Sequence, residues 1–308
     1  MVTPSQAARA AGNTGPRAAT TAPSQHIPRR ESEDSLQHLL QVLQSAVLSS
    51  GSTDDFGFDA GLTDGVLVPV LRPLYRSWFR VTTTGLGNIP ESGPGLVVAN
   101  HAGAIAVDAL MTQVAIHDEH PSHRHLRSLT ADLVFRLPLL KELAVRAGMV
   151  RASVPNAERL LERGELVGVW PEGFKGIGKP FNKRYQLQRF GRGGFVAVAL
   201  RTGTPLIPTA IVGSEEIYPI IGDAKWLARI FDLPYFPITP TFPMLGPMGM
   251  IPLPSKWAIE FGEPIETAGY GRRAAEDPEV VFALADQVRD RIQQMLVTML
   301  MQRTSVFA

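Results

Sequence analysis

An α/β fold, with a mainly parallel central sheet flanked by helices, is predicted by three features of this sequence. From residue 95 onward, short apolar runs of strand length alternate with longer segments of helical period, the order that builds βαβ units. The run "GLVVAN" (95–100) is apolar up to its last residue, as in a buried strand. Proline and glycine punctuate the junctions, with Pro155 suited to a first helical turn and Gly164 to a helix end.

The elements follow in order. Residues 1–34 read as a disordered tail: Ala, Ser, Thr and Arg dominate, no acid precedes Glu31, and no apolar core marks a secretory signal. The same composition suits an organelle transit peptide, the alternative reading. Residues 35–81 read as a helical segment. Its first part, 35–48, places Leu36, Leu39, Leu40, Leu43 and Val47 at helical spacing, and 51–65 reads as a loop. In 66–81, Arg72, Arg76 and Arg80 recur every four residues among apolar and aromatic neighbours. A helix of that kind either lies in a bilayer interface or packs on its own domain with solvated arginines.

The α/β domain is predicted over 82–270. Helices are expected over 105–116, 155–164 and 191–203, and strands over "ELVGVWP" (165–171), "PLIPTAIVG" (205–213) and "WAIEFGEPIE" (257–266). Pro208 points to an edge strand or a bulge. Residues 226–257 are too proline-rich for one helix and suit a lipid-touching loop, an alkyl-tunnel wall or an irregular cover for the sheet. Lys225-Trp226 and Lys256-Trp257 bracket them as amphipathic residues bracket a membrane-facing segment. A C-terminal helix fills most of 271–308, starting near Asp277-Pro278.

Composition removes several classes. A net charge of +1 gives no global attraction to nucleic acid, so an anion site must be local. With no cysteine, thiolate metal sites and cysteine nucleophiles are excluded. No apolar stretch reaches the roughly 20 residues of a spanning helix.

Two constellations carry chemistry. His101 stands at the carboxyl end of a strand, where α/β folds place ligands, with Asp108 seven residues on. On one straight helix the two would lie roughly 10 Å apart, so they meet only if residues 102–104 turn, which Gly103 permits. A carboxylate on one imidazole nitrogen orients the other as a base, whereas a loop histidine held by backbone groups is the simpler alternative. The second is "PEGFKGIGKPFNKRYQLQRFGR" (171–192). After Glu172-Gly173 it runs through Lys175, Lys179, Lys183, Arg184, Arg189 and Arg192 without an acid. Such a loop suits phosphate, or is merely a solvated basic surface; the spacing is not that of a nucleotide P-loop. His117, His120, His123 and His125 cluster with Asp118 and Glu119, read as a polar surface loop rather than a metal site.

The order Asn100-His101…Asp108, Gly148-Met149-Val150-Arg151, Pro171-Glu172-Gly173 and "PLIPTAIV" resembles the glycerolipid acyltransferase family, which includes glycerol-3-phosphate and 1-acylglycerol-3-phosphate acyltransferases. The likeness spans roughly residues 80–265 and rests on the order of the four blocks. It departs twice: six residues instead of four separate His101 from Asp108, and Phe174-Lys175-Gly176 replaces the usual Thr-Arg-Ser.

The resemblance implies an acyltransferase with His101 as general base and Asp108 as its orienter. Arg151, Glu172, Gly173, Lys175 and Lys179 would bind the acceptor and its phosphate. The donor would be acyl-CoA or acyl carrier protein, and the acceptor a lysophospholipid such as 1-acylglycerol-3-phosphate, as in phospholipid biosynthesis. The alternatives are a non-phosphorylated lipid alcohol (diacylglycerol, a long-chain alcohol or a glycolipid) or a lipid-binding module without turnover. A peripheral place on the cytoplasmic membrane face is expected, with no cofactor, metal or nucleic acid.

Overall fold

A computed structural model describes residues 51–307, apart from 103–105, 137 and 231. The expected tail, the helix over 35–48 and the turn at Gly103 lie outside the described residues. Nine strands are described: β1 Thr82–Thr84, β2 Gly95–Ala99, β3 Leu126–Thr130, β4 Val150–Arg151, β5 Leu166–Val169, β6 Leu206–Val212, β7 Gly222–Asp223, β8 Pro237–Ile238 and β9 Ala258–Phe261. Seven form one sheet in the order β1-β9-β6-β2-β5-β3-β4, parallel except where β6 meets β9. β7 and β8 make a separate small hairpin.

Period-two alternation in β2 divides the core between the two faces. Leu96 and Val98 join one cluster with helices Val154–Glu162, Gly194–Thr202 and Pro278–Gln302. Val97 and Ala99 join the other with helix Val107–Glu119 and the aromatic residues Tyr75, Phe79 and Trp257. Both faces being covered explains why β2 is apolar throughout. Asp277 caps the last helix by accepting from Glu279 N at 2.9 Å, and Leu284, Val288, Ile292, Leu296 and Met299 line its buried stripe.

Four local expectations are corrected or narrowed. Residues 51–65 are not all loop: a helical run begins at Ala60, where Asp59 accepts from Leu62 N at 2.9 Å, and continues to Trp78. Pro69 and Pro73 have no N–H to donate, and the run opens into π turns at Thr63–Leu67 and Leu74–Trp78. Arg72 and Arg76 share a face against Asp118, but Arg80 lies past the end and binds the carbonyls of Trp78, Pro254 and Phe307. β6 is an interior strand, not an edge. Thr209 pairs with Phe261 but Leu206 with Ile265, so the segment that follows β9 carries one extra residue beside Pro208, and the missing donor faces that bulge. Trp257 is buried and stacks on Phe79 with centroids 4.6 Å apart, so only Trp226 of the two bracketing tryptophans is exposed.

The start of the helical run is fastened by a buried ion pair, Arg146 Nη2 to Asp59 Oδ2 at 2.6 Å. That guanidinium holds the Asp59 carboxyl below its ordinary range, so the pair's contribution is present above that range and fades as pH falls through it. Arg146→Met is expected to cost about 3 kcal/mol, because it strands a buried carboxylate. Urea unfolding at pH 7 should show a lower midpoint with an unchanged slope, and the deficit should shrink toward pH 3.

Candidate active site

The site grows from the carboxyl end of β2, at the centre of the sheet. Asn100 is fully buried and takes over pairing where the strand stops: its Nδ2 donates to Ile211 O at 3.0 Å and its Oδ1 accepts from Ile211 N at 2.7 Å. This two-way clamp onto β6 fixes the backbone from which His101 departs.

The extra residues in the first block do not prevent closure. His101 Nδ1 lies 2.7 Å from Asp108 Oδ2, with Asp108 fully buried and the histidine side chain 13 % exposed. Asp108 stands in the first turn of helix Val107–Glu119, where the helix dipole favours a carboxylate. Its Oδ2 also accepts from Ala102 N and its Oδ1 from Ala109 N, each at 2.9 Å. A carboxylate only accepts, so Nδ1 carries the proton and Nε2 is the nitrogen with a free lone pair.

The connection after β5 backs this pair. Gly173 has φ 55° and ψ −141°, a backbone region nearly restricted to glycine. Gly176 packs so closely that an added Cβ would stand 2.8 Å from His101 O and 3.0 Å from His101 Cβ. Glu172 Oε1 accepts from His101 N at 3.0 Å, and its Oε2 accepts from Gln188 N at 2.6 Å. One buried carboxylate therefore ties the histidine backbone to the far side of the basic loop.

The structure distributes the expected acceptor-binding residues differently from the sequence reading. Lys179 is buried, its Nζ 3.2 Å from Glu215 Oε1 and 3.5 Å from Glu172 Oε2, so its charge is matched internally. Burial pushes the Glu215 carboxyl up to about 7, with Lys179 pulling the other way. Arg151 is well exposed at the end of β4 and pairs with Asp132 at 2.9 Å. Asp132 lines a shallow cleft of about 290 Å³ with Leu133, Arg136, Phe174, Leu233 and Pro234. Lys175 is exposed beside Phe174. A larger hollow of about 480 Å³, lined by Arg184, Tyr185 and Arg303 among others, contains none of the expected site residues.

Sequence reasoning missed three neighbours. Asn100 was visible as the polar residue that ends an apolar strand. Glu215 sits in "GSEE" beyond β6 with no local mark of its partner 36 residues away. Tyr235 belongs to the apolar 226–257 segment, yet burial, and then the charge of nearby Asp108, push its hydroxyl well up from its usual value. The segment that contains Tyr235 also presents Trp226, Ile230, Met244, Leu245, Met248 and Ile251 to the outside. No helix among the described residues is long and apolar enough to cross a membrane.

Residues 80–212 match the family described as Acyltransferase. An uncharacterized protein of Mycobacterium tuberculosis is 56 % identical over 265 residues, covering 86 % of this chain and 74 % of its own. The "DGAT1/2-independent enzyme synthesizing storage lipids" of Bos taurus is 24 % identical over 225 residues, 71 % of this chain and 60 % of its own. In fold, the chain is similar to the 1-acyl-sn-glycerophosphate acyltransferase PlsC of Thermotoga maritima, with a TM-score of 0.50 at 17 % identity over 91 % of this chain and 86 % of that one. The chain belongs to the acyltransferase family whose ordered blocks its sequence resembles.

Proposed function

We propose that this acyltransferase moves a fatty acyl group from acyl-CoA or acyl carrier protein to the hydroxyl of a non-phosphorylated lipid alcohol at a membrane surface. The observation that carries the chemistry is the closed pair, His101 Nδ1 to Asp108 Oδ2 at 2.7 Å. His101 Nε2 takes the hydroxyl proton as the oxygen attacks the thioester carbonyl. The carbon–sulfur bond then breaks, and the imidazolium returns the proton to the departing thiolate. Asp108 steadies the imidazolium throughout. The scheme needs no covalent acyl-enzyme, so donor and acceptor meet in one complex.

The acceptor reading rests on charge. Lys179 is matched by two buried glutamates and Arg151 by Asp132, which leaves Lys175 as the exposed basic residue of the third block. The storage-lipid enzyme named among the relatives supports the same direction. The exposed apolar side chains of 226–251 would bring the site to lipid, with Lys183, Arg184, Arg189 and Arg192 exposed nearby in sequence.

A second reading is a lysophospholipid such as 1-acylglycerol-3-phosphate, favoured by the exposed Lys175. A thioester-consumption screen separates the two, with oleoyl-CoA as donor. Diacylglycerol, a long-chain alcohol and 1-acylglycerol-3-phosphate would be supplied in vesicles. The neutral alcohols should be the faster acceptors, and Lys175→Ala should change their kcat/KM by less than about twofold. Preference for the phosphorylated acceptor, with a KM raised about tenfold in Lys175→Ala, would overturn the first reading in favour of the second.

A further inference from the structure

The histidine-rich stretch that reads as a surface loop is assembled with a second element. We propose that Asp64, His117 and His125 form a zinc site that fastens the first helical run to the sheet domain, separate from the His101–Asp108 pair. His117 Nε2 lies 3.1 Å and His125 Nε2 2.7 Å from the same oxygen, Asp64 Oδ1. All three donor atoms fall within 4.8 Å of one another. A tetrahedral zinc with bonds of about 2.0–2.1 Å holds its ligand atoms roughly 3.3 Å apart, so small side-chain shifts admit the ion.

The surroundings are those of a ligand set rather than of three polar residues by chance. His117 is held between two carboxylates, with Nε2 toward Asp64 and Nδ1 3.0 Å from Asp118 Oδ1. A neutral imidazole has one N–H and one lone pair, so one nitrogen would face a carboxylate lone pair with its own. A cation at Nε2 removes that conflict: Nδ1–H donates to Asp118, and the Nε2 lone pair binds metal. Asp118 is itself fixed by Arg72, through Nε at 2.7 Å and Nη2 at 2.9 Å. A carboxylate that orients a ligating histidine, and is oriented in turn, is the usual support of a histidine metal site.

Two imidazoles and a carboxylate suit zinc among the common divalent ions, whereas calcium and magnesium prefer oxygen alone. The side chains are 13 %, 25 % and 46 % exposed for His117, His125 and Asp64, which leaves a side open for water as the fourth ligand. The three residues come from three places: a π turn of the first helical run, the last turn of helix Val107–Glu119, and the approach to β3. Asp108 lies in the first turn of the helix whose last turn carries His117. A bound ion would therefore anchor the far end of the helix that carries the proposed orienter.

The test uses untagged full-length protein, stripped with chelator and then titrated with zinc or cobalt. One zinc per chain should survive gel filtration, and cobalt should give the visible bands of a tetrahedral site. Zinc should raise Tm by several degrees. Asp64→Asn and His125→Ala, both at partly exposed positions where folding should persist, should weaken zinc binding at least tenfold and abolish the Tm rise. Retention below about 0.1 zinc per chain by wild type would overturn the proposal. So would retention by either variant equal to wild type, since it would place the ion elsewhere.

Discussion

His101→Ala is expected to lower kcat for acyl transfer by about 10²–10⁴-fold with the fold intact, the range a positioned general base contributes. The substitution removes Nε2, the nitrogen left with a free lone pair, while the histidine backbone keeps its bond to Glu172. Asp108→Asn should cost a comparable factor for a different reason. Both carboxylate oxygens accept: Oδ2 from His101 Nδ1 and Ala102 N, Oδ1 from Ala109 N. An amide offers one acceptor. Turned one way, its NH₂ opposes Ala109 N–H. Turned the other way, it opposes Ala102 N–H and forces Nδ1 to accept, which moves the ring proton to Nε2 and removes the base. Steady-state rates with oleoyl-CoA, beside thermal melts of each variant, check both. A folded His101→Ala protein that keeps more than a tenth of wild-type kcat would sink the base assignment.

What was legible in the sequence was what local pattern encodes. The apolar run of β2, the cap at Asp277, Pro155 in a first helical turn, and the strand–helix alternation set the layers, since each depends on neighbours within a turn or two. Pro208 announced an irregularity, but not that its strand lies inside the sheet. The partner strand β9 begins 50 residues later, and the compensating residue lies just past its end. Lys179 misled for the same reason. In a run without acids it reads as free positive charge, while Glu215, 36 residues on, arrives only through the fold. The spacing of His101 and Asp108 could be argued either way from sequence, because a turn between them is invisible to periodicity. The pair at 2.7 Å answers the geometry.

Lys179→Met separates a buried support from an acceptor contact. If the ammonium bound the acceptor, its loss would raise KM in a normally stable protein. The buried arrangement makes the opposite prediction: Glu172 and Glu215 would be left together without a counter-charge, a loss of about 3–5 kcal/mol. The pH dependence fixes the cause. Glu215 titrates near 7 in the folded chain, above its ordinary value, so its contribution is full below the ordinary value and lost as pH rises through 7. Removing Lys179 raises that folded value further, so the variant should lose more stability than wild type between pH 5 and pH 8. Glu215→Gln in the Lys179→Met background should recover much of it. Because Glu172 holds His101 N, kcat should fall with the folded population and with displacement of the histidine, while KM for the acceptor stays near wild type. A Lys179→Met protein as stable as wild type at pH 8, with only KM changed, would return this lysine to the substrate.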